Sequence, residues 1–224
     1  MTSGADRVVE ALEVAEIRPD RWGRRRLAGL SPAERRFYVW ILRQFAAAAP
    51  PSAAATRAAA DELDLDPQQA LPTLAREDLV HTDDGRPLVA YPFSANDRGH
   101  RVLVDGLRKV QAMCAIDALG IAPMLDLPIE ISSGDPIGGV AIHVQLEPGG
   151  PATWQPESAV VVAGSACCDG PSFGGCCDVL HFFESQRSGE RYLLERSDVR
   201  GTVISIPDAV EAGRVVFGDV LKED

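Results

Sequence analysis

The chain has 224 residues, 46% of them hydrophobic and 25% charged, enough to bury an ordinary core as one large domain or as a small domain joined to a medium one. Its formal net charge of −11 works against non-specific attraction to nucleic acid or an anionic membrane. Residues 1–10 carry no basic stretch followed by an apolar one, and no apolar run reaches the roughly 18 residues of a membrane span, so a soluble cytoplasmic protein is expected.

The first strong helix signal is Ser31-Pro32-Ala33-Glu34, a capping-box pattern with proline at the first helical position. Phe37, Val39, Trp40, Ile41 and Phe45 continue that helix until Pro50 and Pro51 end it. A second helix is expected over 53–63, and Asp66-Pro67 opens a third that runs to about Glu77 with Pro72 inside it. Residues 79–93 place apolar stretches on both sides of Asp83-Asp84-Gly85, which signals a hairpin. Three helices and a hairpin in sequence outline a winged helix. The third helix offers Asp66, Gln68, Gln69, Arg76, Glu77 and Asp78, with little positive charge for phosphates, so a scaffold or lid role is expected in place of DNA binding.

After a turn-rich stretch at 96–99 the pattern changes. Strands are expected at 101–105, 129–132, 140–146, 159–163 and 179–183, and helices at 110–125, 188–195 and 207–221. The expected fold class is α+β. An N-terminal winged-helix-like helical domain, residues 1–95, precedes a mainly antiparallel sheet with flanking helices, residues 96–224.

Within 110–125 Asp117 is the only charged side chain, and Cys114 stands three residues before it. On a helix, residues at i and i+3 share a face, so thiol and carboxyl point to one place. A lone buried carboxylate is costly unless paired or protonated. Desolvation raises its pKa and makes it a proton carrier beside a thiol. The structural alternative is an aspartate capping a turn, with Cys114 as a small core side chain.

Five cysteines, Cys114, Cys167, Cys168, Cys176 and Cys177, are an odd number with two adjacent pairs, a poor disulfide framework. Reactive or metal-binding thiols in a reducing compartment fit better. The loop 167–177 admits three readings: a structural zinc site, which adjacent cysteines disfavour, a glycine-rich loop with incidental thiols, and a soft-metal site shared with Cys114.

Taken together, Val89-Ala-Tyr-Pro-Phe-Ser94, His100-Arg-Val102 with Asp105-Gly106, Ala112-Met-Cys-Ala-Ile-Asp-Ala-Leu-Gly120, and Cys177 followed by His181-Phe182-Phe183 resemble the alkylmercury lyase family over about residues 30 to 221. The resemblance implies a winged-helix-like domain before a catalytic α+β domain, and protonolysis of a carbon–mercury bond by two cysteines and an aspartate. Carried over, Cys114 matches the first cysteine, Asp117 the aspartate and Cys177 the second cysteine, with Cys176 a close competitor. His181 reads as a packing residue. The implied chemistry lets a cysteine thiolate bind R–Hg⁺, Asp117 take a thiol proton as the second sulfur binds, and the same proton pass to carbon. The metal-binding residues the resemblance implies are then Cys114, Cys177 and Asp117, with Cys176, Cys167 and Cys168 as further candidates. No redox cofactor is expected. The implied partners are a small organomercurial substrate and, for the Hg(II) product, a thiol carrier or a mercuric reductase, in a mercury-resistance and detoxification role. Two departures stand out: the pair Cys167-Cys168, and Gly134-Asp135 after Ser132-Ser133, where members of the family commonly carry a further cysteine. The alternative from another class is a non-catalytic thiol-rich protein that binds or senses a soft metal on the same fold.

Overall fold

The computed structural model describes residues 4–166 and 176–222. The expected Cys167 and Cys168 sites lie outside the described residues.

Helix α1 (Gly4–Val14) was not signalled by the sequence; it buries Val8, Ala11 and Leu12 against C-terminal elements described below. Helix α2 (Pro32–Ala46) begins as expected. The Ser31 side chain accepts from the Glu34 N–H while the Glu34 carboxylate accepts from the Ser31 N–H. Phe37, Tyr38, Ile41, Leu42 and Phe45 form its buried stripe. Helices α3 (Ala53–Glu62) and α4 (Pro67–Arg76) follow, capped by Ser52 and Asp66. Strands β1 (Val80–Asp83) and β2 (Arg86–Ala90) form the expected hairpin. Its two-residue loop places Asp84 and Gly85 at φ 46 and 75, the conformation that matches strand twist and that aspartate and glycine tolerate.

That hairpin continues into a larger sheet. Strand β3 (Phe93–Ser94) pairs with β2 on one side and with β5 (Arg108–Ala112) on the other. Together with β4 (Arg101–Val104), β6 (Ile129–Gly134), β7 (Ala141–Leu146) and β8 (Ala152–Gln155) they form one eight-stranded sheet, in the order β1-β2-β3-β5-β4-β6-β7-β8. A second sheet sets β9 (Val160–Ala166) between β10 (Phe182–Phe183) and β11 (Val199–Ser205). Every pairing is antiparallel, as the mainly antiparallel expectation requires. Strands β5, β8 and β11 were not signalled, and the strand expected at 179–183 is confined to Phe182–Phe183 because a 3-10 turn occupies Cys176–Asp178.

Helix α5 (Ala115–Leu125) is buried on all sides, packed on β4, β5 and β6 and crossed by α7 (Ile206–Phe217). At the crossing, a Cβ on Gly213 would stand 2.8 Å from the Gly120 backbone nitrogen, so the two helices touch through backbone. Helix α1 lies against α7, β9 and β11, and α6 (Gln186–Glu195) against β9 and β11. Among the described residues no helix is long and apolar enough to cross a membrane.

Candidate active site

The apolar run at 110–125 was expected to be one helix with Cys114 inside it. The structure divides it. Val110 to Ala112 end β5, and Cys114 is the N-cap of α5, with extended backbone at φ −153 and ψ −179. Two hydrogen bonds from distant parts of the chain fix this junction. The Met113 N–H donates to the Pro92 carbonyl at 3.1 Å, and the Ala115 N–H donates to the Leu180 carbonyl at 2.8 Å. The second ties the start of α5 to the segment that carries Cys177. As cap, the Cys114 sulfur accepts from the Asp117 N–H at 3.4 Å, so thiol and aspartate lie in one helical turn at the positive end of the helix.

The 3-10 turn Cys176–Asp178 is closed by the Val179 and Leu180 N–H groups, both donating to the Cys176 carbonyl, at 2.9 and 3.0 Å. It turns the Cys177 thiol toward α5, where it donates to Oδ2 of Asp117 at 3.8 Å. Among the described residues, Cys114, Asp117 and Cys177 form a group whose ligand atoms all lie within 4.8 Å of one another. Cys176 is outside that group but lines the same cavity, about 450 Å³ in volume. His181, expected to pack, stacks on His100 at 5.5 Å between ring centres and meets Tyr192 edge-on.

Burial governs the protonation of the group. Cys114, Asp117 and Cys177 are 1%, 5% and 3% exposed. Loss of water pushes the Asp117 carboxyl up to about 7, against the opposing hydrogen bonds from Cys114 and Cys177 and the positive charge of Arg26. Burial pushes the Cys114 thiol up to about 12. Cys177 is raised well above an ordinary thiol, first by its contacts with Cys114 and Cys176 and then by burial. The resting site therefore holds neutral thiols around a carboxyl poised near neutrality.

Sequence reasoning missed three cavity residues. Arg26 sits in the 3-10 turn Gly23–Leu27 and is 7% exposed, and the run Arg24-Arg25-Arg26 gave no sign that one arginine turns inward. Tyr91 and Asp78 complete a polar wall, the Tyr91 hydroxyl and Oδ1 of Asp78 each 3.1 Å from Nε2 of His81. Tyr91 lies inside the 89–94 segment that carried the resemblance, the one signal available for it.

Two buried thiols around a buried carboxyl, at the junction of a buried helix and an antiparallel sheet, make a group whose chemistry suits a soft metal. Comparison with known proteins gives the family. Residues 93–218 match the alkylmercury lyase (MerB) family, and the chain belongs to it. An alkylmercury lyase of Streptomyces lividans is 25% identical over 165 residues, 74% of this chain and 75% of that protein. One from Staphylococcus epidermidis is 26% identical over 66% of this chain and 65% of its own length, and one from Bacillus cereus 27% identical over 61% and 62%. In fold, the mercury-bound form of MerB2 is similar with a TM-score of 0.74 over 96% of this chain and all of that one, at 19% identity.

Proposed function

We propose that this member of the alkylmercury lyase family cleaves the carbon–mercury bond of a small organomercurial by protonolysis at the Cys114, Asp117 and Cys177 group. The observation that carries the reading is that group itself: two buried thiols and a buried carboxyl with all ligand atoms within 4.8 Å. The substrate arrives as R–Hg–SR′. One cysteine sulfur displaces the carrier thiolate, which leaves with that cysteine's proton as HSR′. As the second sulfur bonds to mercury, its proton passes to the Asp117 carboxylate. Donation from two sulfurs then loads electron density onto the bound carbon. The carbon–mercury bond breaks with its electron pair on carbon, and Asp117 returns the proton there. The products are R–H and Hg(II) held by Cys114 and Cys177. Mercury stays Hg(II) throughout, so the scheme needs no redox cofactor.

The raised Asp117 pKa serves both halves of this cycle, because a carboxyl near 7 accepts and donates with little driving force wasted. The Hg(II) product calls for a thiol carrier or a mercuric reductase as acceptor. Thiols that must stay reduced suit a cytoplasmic setting.

The test is headspace and metal analysis of the reduced protein with methylmercury and excess small thiol. Methane over several turnovers, abolished in Cys114→Ala and Cys177→Ala and retained in Cys176→Ala, is the expected result. Tight mercury binding without methane would overturn it in favour of a soft-metal binding protein.

A further inference from the structure

His100 and His181 come from two of the segments that carried the family resemblance, and neither has a place in the proton path above. They meet in the fold. Nε2 of His100 lies 3.4 Å from Nδ1 of His181, with the ring planes within 23° of each other. His100 is 2% exposed, and burial holds both rings below the ordinary histidine range, so each carries one N–H and one bare nitrogen.

The far end of the pair decides which nitrogen is which. Nε2 of His181 lies 3.1 Å from the Asp178 carbonyl, which can only accept, so that nitrogen carries the proton and Nδ1 is bare. Nε2 of His100 then donates to it, which leaves Nδ1 of His100 to accept from the Ser133 hydroxyl at 3.0 Å. Ser133, His100, His181 and the Asp178 carbonyl form one directed chain in which each donor faces an acceptor.

This chain ties together the two arms that carry the cysteines. Asp178 follows Cys177 in the 3-10 turn, and its carboxylate also pairs with Arg98, two residues before His100. The His100 backbone carbonyl accepts from the Ala112 N–H at 2.9 Å, at the end of β5 and two residues before Cys114. Residues 98 to 100 thus hold the Cys114 arm through backbone and the Cys177 arm through side chains. The bond from the Ala115 N–H to the Leu180 carbonyl joins the same arms just beyond the turn. One bond locates a segment, and a second at a different residue fixes its tilt.

We propose that His100 and His181 are positioning residues for the lyase reaction, their hydrogen-bonded chain setting the tilt of the Cys176–Asp178 turn and so the spacing of the Cys177 sulfur from that of Cys114. This rests on the lyase reading and assigns to it residues outside the reacting group. Capture of R–Hg⁺ needs one sulfur, whereas closure onto mercury needs both at their proper spacing. A misplacement of about 1 Å can cost on the order of 10²-fold in rate. The chain therefore acts on the step after capture.

The test is a single turnover of phenylmercury delivered by 5-thio-2-nitrobenzoate, whose absorbance reports capture while benzene in the headspace reports cleavage. His100→Leu removes the donor to His181, and His100→Gln keeps a side-chain N–H in its place. In His100→Leu, carrier release is expected to stay near the wild-type rate while benzene release per folded molecule falls on the order of 10- to 10²-fold, and His100→Gln recovers most of that loss. Capture and cleavage slowed alike, no recovery in His100→Gln, or a lowered unfolding midpoint with benzene release unchanged overturns the proposal and leaves the pair as packing. If His100→Leu does not fold, Ser133→Ala carries the test, because it removes the hydroxyl that fixes the His100 tautomer: benzene release should fall with carrier release unchanged, and no effect on either overturns the proposal. If wild type captures mercury but releases no benzene, the lyase reading fails by itself. The pair is then decided by Hg(II) affinity in competition with 2-mercaptoethanol, which should drop in His100→Leu from that of a two-sulfur chelate toward that of a single thiol; an unchanged affinity overturns it.

Discussion

Two aspartates in this molecule have almost no accessible surface and behave in opposite ways. Asp117 is 5% exposed and Asp135 3%. Asp117 is raised to about 7, whereas Asp135 is lowered below the ordinary carboxylate range. Burial pushes both upward, Asp117 the more because it lies deeper, and hydrogen bonds reverse the outcome only at Asp135. Asp135 accepts from the Ile137 and Gly138 N–H groups at 2.7 and 2.9 Å, from the Glu184 N–H at 3.0 Å and from the Ser188 hydroxyl at 2.5 Å. Those four donors outweigh the lost water and pin the β6–β7 loop to the start of α6. Asp117 has weak thiol donors, Cys177 at 3.8 Å among them. A carboxylate surrounded by good donors becomes a fixed structural charge. One left with sulfur keeps its proton available.

The largest effect expected from breaking this contrast is on turnover. Asp117→Asn keeps the volume of the side chain and removes its titration, so kcat should fall on the order of 10²- to 10⁴-fold while Hg(II) still binds at the two cysteines. Single-turnover release of hydrocarbon from the mercury-loaded variant checks it. An unchanged rate would remove Asp117 from the proton path.

The same substitution should also change how stability depends on pH. Asp117 keeps its proton in the folded chain between its ordinary value of 3.8 and about 7, a range in which the unfolded chain has lost it. Its contribution is greatest below 3.8, declines as pH rises through that window, and is constant above about 7. The decline is up to about 4 kcal/mol for a shift of roughly three units. His100 works in the other direction. Buried beside His181, it is lowered to about 3, so its contribution grows as pH rises from about 3 to 6.5. Wild type alone would show a partial cancellation. Denaturant unfolding of wild type and Asp117→Asn in parallel isolates the aspartate: the difference should favour the variant increasingly from pH 4 to pH 7 and then level off.

How much of this contrast the sequence carried depends on whether the signal was local. Helices α2 and α4 were legible because Ser31, Glu34 and Asp66 cap them with their own neighbours. The pairing of Cys114 with Asp117 was legible from spacing, but the position of Cys114 was not. The end of β5 from Val110 and the whole of α5 carry too few polar side chains for 110–125 to show a periodicity that marks the break, and the break is held by carbonyls of Pro92 and Leu180. The choice of Cys177 over Cys176 for contact with Asp117 rests on a three-residue turn. Arg26 was invisible because its direction is set by a 3-10 turn in a run that reads as solvated charge. Asp135 entered only as part of a departure from the family pattern. Its donors come from residues two to 53 positions away, and the longer-range ones leave no local trace.

Asp135→Asn tests the structural side of the comparison. The amide offers one acceptor oxygen in place of two and turns a donor toward groups that themselves donate, so about 2–4 kcal/mol of stability should be lost. Turnover per folded molecule should be spared, because Asp135 is absent from the cavity wall. A loss of kcat in the folded fraction, measured beside the unfolding midpoint, would show that the two aspartates are coupled after all.

Ser188→Ala is the mildest form of the same experiment and the most discriminating. Ser188 is 8% exposed, lies in the first turn of α6 and gives Asp135 the only hydroxyl among its four donors. Removing that hydroxyl leaves three backbone N–H groups on the carboxylate, and the substitution is small enough for α6 to keep its Ser185 cap, which uses the residue 188 N–H. The cost should be about 1 kcal/mol at neutral pH. Because the lost bond favours the ionised form, the Asp135 pKa must rise toward its ordinary value. A lowered folded pKa gives stability that is present above the unfolded value and is lost as pH falls through the folded one. The variant should therefore differ from wild type at pH 6 and converge with it in strong acid. A destabilisation that is independent of pH would mean that Ser188 acts through packing, and that the backbone donors alone hold Asp135 ionised.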